Sequence, residues 1–245
     1  MRKPIELRFA LSLLAVLPAI LLRSPAWSAD APAPAVGAAP TAGAPTAPND
    51  RFAKWEKEIA AFETKDAKVA PPADPILFAG SSTIRMWNVK KSFPDLPVMN
   101  RGFGGSEIED STHFAPRIIL KYKPRIIVFY AGDNDINGGK KPARILSDFQ
   151  AFVRTVHDAL PATKILFLSI KPSLARIKQV DRQKEANRLV EQFCKTDPQL
   201  LYVDTTACML GADGKPRPEL FRPDGLHMTD AGYVLWSDIL KPLLN

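Results

Sequence analysis

Near the carboxyl end of the chain, Asp224 and His227 stand three positions apart in the segment 222–230. On a turn before a helix, this spacing lets the carboxylate bind Nδ1 of the imidazole, so that Nε2 can take a proton from a hydroxyl group. The other two histidines, His113 and His157, fall in predicted helices without such a neighbour and are interpreted as surface or packing residues. We therefore predict an acid–base pair at Asp224 and His227, with a purely structural His227 as the alternative.

A candidate nucleophile, Ser82, follows the apolar run 76–79 in the segment GSST at 80–83. A serine at a turn from a strand to a helix is exposed at the sheet edge, where free N–H groups of the helix start can stabilise an oxyanion. Serine is also a preferred helix N-cap, which is the alternative here. The G-x-S-x-G elbow of α/β-hydrolases is absent, because Ile84 stands at the second glycine position.

Two further polar or glycine-rich segments follow apolar runs. The segment NRGFGGS at 100–106 permits a tight turn and a close backbone approach to a ligand, but Glu107 stands where a dinucleotide loop needs its third glycine. The segment GDNDING at 132–138 places Asn134 as a possible side-chain donor to an oxyanion, with turn-forming residues as the alternative. It also matches the opening of an EF-hand loop, but Arg144 replaces the required acid, so no calcium site is predicted.

The elements that must position these residues alternate between strands and helices. Continuous apolar runs typical of strands buried on both faces occur at 76–79, 97–99, 126–130, 165–168 and 200–203. Helix patterns occur at 52–62, 106–122, 142–160, 179–195 and 230–242. This order predicts an α/β fold, a three-layer α/β/α sandwich with a central, mostly parallel five-stranded sheet. Ligands bind such folds at the carboxyl ends of the strands, which is where the candidate residues lie.

Taken together, the four segments resemble the block motifs of the SGNH hydrolase (GDSL-like lipase/acylhydrolase) family: a GDS-type nucleophile, a glycine block, GxND and a terminal DxxH. They occur in the family's order between residues 76 and 227. The resemblance implies a flavodoxin-like SGNH fold, Ser82 as nucleophile and Asp224 with His227 as orienter and base. It also implies an oxyanion hole formed by the N–H groups of Ser82 and Gly105 with the Asn134 side chain. Ser81 departs from the family's usual Asp, and alignment on the preceding glycine selects Ser82 over Ser81.

The length of 245 residues suits one catalytic domain, expected at 50–245. Residues 1–29 have a basic start, a short apolar run and small residues near their end, which predicts a signal peptide and export to the periplasm or beyond the cell. An uncleaved anchor is the alternative. Residues 30–49 are rich in Ala and Pro and predict an extended linker.

Charge and cysteine content limit the partners. The formal net charge of +7 falls to +4 without the leader's four basic and one acidic residues, and no basic stripe indicates a nucleic-acid partner. Stable membrane insertion after signal cleavage is not expected. Cys194 and Cys208 either form a disulfide or are two buried thiols. No pattern indicates an oligomeric state.

The expected function is a serine ester hydrolase without a metal or organic cofactor. Because no long apolar lid is visible, the expected substrate is a small-molecule or polymer-borne ester with a short acyl group, such as an acetyl ester of a carbohydrate or cell-envelope polymer. A lipid or phospholipid acyl-ester hydrolase is the alternative. From another class, the alternative is a non-catalytic module that binds a glycan or small ligand on the same fold.

Overall fold

Five parallel strands form the centre of the molecule. The computed structural model describes residues 51–245, and the predicted leader at 1–29 and linker at 30–49 lie outside them. The strands are β1 (Ile76–Gly80), β2 (Val98–Gly102), β3 (Ile126–Tyr130), β4 (Lys164–Leu168) and β5 (Leu200–Val203). They are ordered β2-β1-β3-β4-β5, and every neighbouring pair is parallel. The predicted fold class is confirmed.

Helices connect the strands. They are α1 (Glu56–Lys68), α2 (Ser82–Arg85), α3 (Val89–Ser92), α4 (Ile108–Ile118), α5 (Asp133–Asn137), α6 (Pro142–Ala159), α7 (Val180–Cys194) and α8 (Asp230–Leu240). The four predicted helices after residue 100 correspond to α4, α6, α7 and α8. The helix predicted at 52–62 begins instead as a 3-10 turn, Ala53–Trp55, and continues as α1. Among the helices of residues 51–245, none combines the length and the apolar character needed to cross a bilayer.

Alternate residues of each strand enter two separate apolar cores. In β1, Leu77 and Ala79 face the core that contains α1, α4, α6 and α7. Ile76 and Phe78 face the opposite core, which contains α2, α3 and α8. Burial on both faces explains why the strands read as continuous apolar runs rather than as alternating patterns.

The two cysteines are free and belong to opposite faces of the sheet. Cys194 is buried in the core of α1, α4, α6 and α7, whereas Cys208 packs against the other core. Burial raises the pKa of the Cys194 thiol to about 12. The sequence allowed either a disulfide or two separate thiols, and the structure has two unpaired thiols.

The order of the strands places a crevice between the carboxyl ends of β1 and β3, because the chain first runs from β1 to β2 and then crosses to the other side of β1. The two strand ends approach closely there. The Ser81 N–H donates to the Tyr130 carbonyl at 3.0 Å. A Cβ on Gly80, which has φ +127°, would lie 1.9 Å from that carbonyl oxygen, so only glycine fits.

This close approach predicts that Gly80→Ala destabilises the fold by more than about 4 kcal/mol, through overlap and backbone strain. Gly214→Ala is the matched control, because Gly214 also has a positive φ of +72° but no atom within 4 Å of its Cβ position. The control should cost about 1–2 kcal/mol. Free energies of unfolding in urea measure both, and equal losses would contradict the role given to the Gly80 contact.

Candidate active site

Ser82, His227 and Asp224 meet at the carboxyl edge of the sheet. Nε2 of His227 lies 3.0 Å from Oγ of Ser82, and Nδ1 lies 2.7 Å from Oδ2 of Asp224. Ser82 is partly exposed, whereas the neighbouring Ser81 is only 3% exposed. The imidazole therefore faces Ser82, the serine that the alignment selected.

The start of α2 determines the setting of Ser82. Ser81 is the N-cap residue, with extended backbone angles (φ −85°, ψ −164°), and its side chain makes no capping hydrogen bond. Ser82 is the first helical residue, so the N-cap interpretation of Ser82 is wrong. Within residues 51–245 the Ser82 N–H donates to no other group, which leaves it free for a ligand at the positive end of a helical turn.

A tight turn holds Asp224 beside His227. Oδ1 of Asp224 accepts the N–H groups of Leu226 and His227, each at 2.9 Å, which leaves Oδ2 for the imidazole. The turn is closed by a hydrogen bond from the Arg222 N–H to the His227 carbonyl at 2.7 Å and by one from the Gly225 N–H to the Arg222 carbonyl at 2.8 Å. The backbone of this turn therefore sets the direction of the carboxylate.

These contacts keep Asp224 ionised. Desolvation by itself raises the pKa of the carboxyl, but the hydrogen bonds from the His227 side chain and from two backbone N–H groups outweigh it and lower the pKa to about 2. A carboxylate at this position accepts a hydrogen bond from Nδ1–H and so leaves Nε2 as the acceptor that faces Ser82. The pair has the arrangement needed for a general base.

The glycine block lies next to α2. The Asn100 side chain donates to the Ile84 and Trp87 carbonyls at 2.6 and 3.0 Å, and so ties the end of β2 to α2, the helix that Ser82 begins. Further along the block, Gly105 has φ +69°, is exposed, and has no atom within 4 Å of its Cβ position. Its N–H donates to no group among residues 51–245 and can serve a bound oxyanion.

Asn134 lies in α5, beside the glycine block. Its Nδ2 donates to the Ser106 carbonyl at 3.0 Å, and its Oδ1 accepts from Nη2 of Arg176 at 3.0 Å. One hydrogen of the amide group is used by Ser106, and the second is available to a ligand. Asn134 therefore lies against Ser106, the residue that follows Gly105.

Other residues of this segment form ion pairs rather than a calcium loop. Asp133 pairs with Arg176 and Asp135 with Lys140, at 2.9 and 3.0 Å. Burial raises the pKa of Asp135 to about 6, against the opposing effect of Lys140. Within the described part of the chain, no group of three or more His, Cys, Asp or Glu side chains is placed to hold a metal ion.

The segment after β4 also contributes to the site, which the sequence did not predict. Arg176 reaches both Asp133 and Asn134, and Lys171 is fully buried near the same carboxylate. Its position could have been found from the sequence, because ligands bind such folds at the carboxyl ends of the strands and this segment directly follows the end of β4.

The expectation for the two remaining histidines needs one correction. His113 stacks on Phe52 with ring centroids 3.7 Å apart, as expected of a packing residue. His157, however, does have an acidic neighbour, since its Nδ1 lies 3.6 Å from Asp197. The partner comes from another element, which local spacing did not reveal.

Solved structures share this fold. A candidate platelet activating factor from Streptococcus pneumonia superposes with a TM-score of 0.71 at 23% identity, over 79% of this chain and 94% of that one. A GDSL-like lipase from Bacteroides thetaiotaomicron has a TM-score of 0.64 at 18% identity, over 76% and 96%. A catalytic mutant of an acetylxylan esterase from Geobacillus stearothermophilus has a TM-score of 0.56 at 16% identity, over 71% and 96%. At these identities the likeness establishes a shared fold alone.

The sequence itself gives the family. The pattern of the GDSL-like Lipase/Acylhydrolase family matches residues 85–235, which is more than half of the chain. The chain belongs to this family, and so to the esterases and related hydrolases. The match includes Asn134, Asp224 and His227 but begins after Ser82. Among proteins of curated function, none matches the chain.

Proposed function

We propose that the protein is a serine ester hydrolase that works by a two-step acyl transfer, with Ser82 as nucleophile, His227 as general base and Asp224 as its orienting acid. The observation that carries the proposal is the continuous contact from Ser82 Oγ through the imidazole to Asp224, at 3.0 and 2.7 Å. These are the distances over which a nucleophile, a base and an orienting acid exchange and hold protons.

In the first step Ser82 Oγ attacks the ester carbonyl while Nε2 of His227 takes its proton. The resulting oxyanion accepts hydrogen bonds from the N–H groups of Ser82 and Gly105 and from the Asn134 amide. The tetrahedral intermediate collapses, and the imidazolium gives its proton to the departing alcohol. Water then attacks the acyl-enzyme while His227 takes one of its protons; the bond between the acyl carbon and Ser82 Oγ breaks, the imidazolium returns the proton to Oγ, and the acid is released.

The proposed substrates are short-chain or acetyl esters, including esters on carbohydrate or cell-envelope polymers. The exposure of Asp224 (48% of its side chain) and the open space at Gly105 describe a shallow site that a polymer-borne group can reach. The fold neighbour from Geobacillus stearothermophilus carries the name of an acetylxylan esterase. The sequence pattern of residues 1–29, which predicts a signal peptide, supports the further proposal that the protein is exported to the periplasm or secreted.

One observation favours a longer acyl chain as a second candidate. Leu174 is 39% exposed. Its Cβ lies 3.2 Å from the position that a Cβ on Gly225 would take, and Gly225 belongs to the turn that carries Asp224 and His227. An exposed apolar side chain beside the acid–base turn can contact the acyl chain of a lipid ester.

The nucleophile is tested by p-nitrophenyl acetate hydrolysis with Ser82→Ala and Ser81→Ala. The Ser82 variant should lose activity by up to about 10⁶-fold in kcat, because it removes the attacking atom. Ser81→Ala is the matched control and should retain activity, since Ser81 does not face the imidazole. Equal rates in all three proteins, together with failure of a fluorophosphonate to label Ser82, would favour the binding module.

The pH dependence should report a single proton on the acid side. Because hydrogen bonds lower the pKa of Asp224 to about 2, this carboxylate stays charged through the acid range, so the general base is the one group of the proposed triad that must be unprotonated before Ser82 can attack. The logarithm of kcat/KM should therefore rise with pH at a slope of one before it levels off. A slope of two would contradict this assignment and implicate a second group, such as Asp135 with its pKa near 6.

Acyl preference is measured with p-nitrophenyl esters of increasing chain length. Acetate and propionate should give the highest kcat/KM if the shallow site binds only a short acyl group. Leu174→Ser should leave the hydrolysis of acetate unchanged. A preference for long chains that Leu174→Ser abolishes would replace the acetyl-esterase proposal by the lipid one.

A further inference from the structure

The segment after β4 reaches into the proposed oxyanion hole through one side chain. Nη2 of Arg176 donates to Oδ1 of Asn134 at 3.0 Å, while Nη1 lies 2.9 Å from Oδ1 of Asp133. The planar guanidinium thus spans two consecutive side chains at the start of α5. The Arg176 side chain is 11% exposed and that of Asp133 is 6% exposed, so both charges are largely withdrawn from solvent.

This contact fixes which way the Asn134 amide points. A guanidinium only donates hydrogen bonds, so it must face the amide oxygen, and the NH₂ group is then directed to the opposite side. There Nδ2 meets the Ser106 carbonyl at 3.0 Å, next to Gly105. A reversed amide would place two donors against each other at Arg176 and two acceptors against each other at Ser106. The positive charge also polarises the amide, which strengthens its N–H groups as donors.

Arg176 is not needed only as a counter-charge for Asp133, because that carboxylate has other partners. The ammonium group of Lys171, which is fully buried, lies 3.7 Å from Oδ2 of Asp133. Nε2 of Gln183 donates to Oδ1 of the same carboxylate at 3.3 Å. Asp133 therefore keeps a cation and a neutral donor without Arg176, whereas Oδ1 of Asn134 receives its hydrogen bond from Arg176.

We propose that Arg176 is a positioning residue that orients and polarises the Asn134 amide for the developing oxyanion. The inference rests on the proposed function, because it acts on the same acyl transfer. Arg176 does not have to touch the substrate; it acts through Asn134. The second step of the reaction passes through the same kind of oxyanion, so acylation and deacylation should depend on Arg176 alike.

The test is a double-mutant cycle of Arg176→Lys and Asn134→Ala in the full chain, with p-nitrophenyl acetate as substrate. Lysine keeps a positive charge near Asp133, but a single ammonium cannot reproduce the planar fork between two acceptors. Gln179→Ala is the matched control, because Gln179 lies in the same segment and donates to Asn137 of α5 at 2.8 Å without touching Asn134. Thermal unfolding and circular dichroism of each variant measure folding, and Arg176→Met is the second variant if the lysine protein is unstable.

Arg176→Lys should lower kcat by about 10- to 100-fold with little change in KM, because the misplaced donor acts only on the transition state. Asn134→Ala should lower kcat by roughly 10²–10³-fold. The double variant should be no slower than Asn134→Ala alone, and Gln179→Ala should retain full activity.

Multiplication of the two losses in the double variant, or an equal loss in Gln179→Ala, would overturn the inference and leave the proposed function intact. An unchanged kcat in Asn134→Ala, beside an inactive Ser82→Ala, would remove Asn134 from the hole and Arg176 with it. An active Ser82→Ala would instead overturn the proposed function itself.

Discussion

Parallel pairing of β1 with β3 is the constraint on which the site depends. The ladder ends with Gly80 against the Tyr130 carbonyl and extends one residue further through the Ser81 N–H. The position at which the chain leaves the sheet is therefore fixed, and Ser82 is the first residue beyond it and the first residue of α2. The residues that follow Tyr130 leave the adjacent strand at the same edge, which places α5 and Asn134 in the neighbouring position. A side chain on Gly80 would separate the two strand ends and with them Ser82 and Asn134.

Beneath this edge the protein buries charge as well as apolar surface. Asp133, Lys171 and Arg176 are all largely or fully enclosed, and they compensate one another at 2.9 and 3.7 Å. Replacing Asp133 would leave the two cations without the carboxylate they share, and the loss of such a buried partner costs about 3–5 kcal/mol in comparable cases. Burial lowers the pKa of Lys171, and the nearby carboxylate of Asp133 opposes that effect. The cluster therefore links the segments after β3 and β4 through charged contacts.

The sheet and most helices could be predicted from the sequence because their signals are local. Strands buried on both faces are continuously apolar, and helices such as α6 and α7 repeat their apolar residues over several turns. The pairing of Asp224 with His227 was predictable for the same reason, since the two residues share one turn. The contact of Arg176 with Asn134 was not, because it joins residues 42 positions apart and no local pattern marks the arginine. The short helices α3 and α5 were missed because one turn gives no period to detect.

The proposed triad divides into a local part and a tertiary part. Asp224 and His227 are held by the backbone of their own turn, and the low pKa of the acid arises from hydrogen bonds within it rather than from deep burial. The contact with Ser82 instead depends on how α8, which follows the turn, packs against α2. The Tyr233 hydroxyl in α8 donates to the carbonyl of Thr83, the residue after Ser82, at 2.8 Å. Loosening this helix contact would separate His227 from Ser82 while the pair of His227 with Asp224 stayed intact, so the packing of α8 determines whether that pair can reach Ser82.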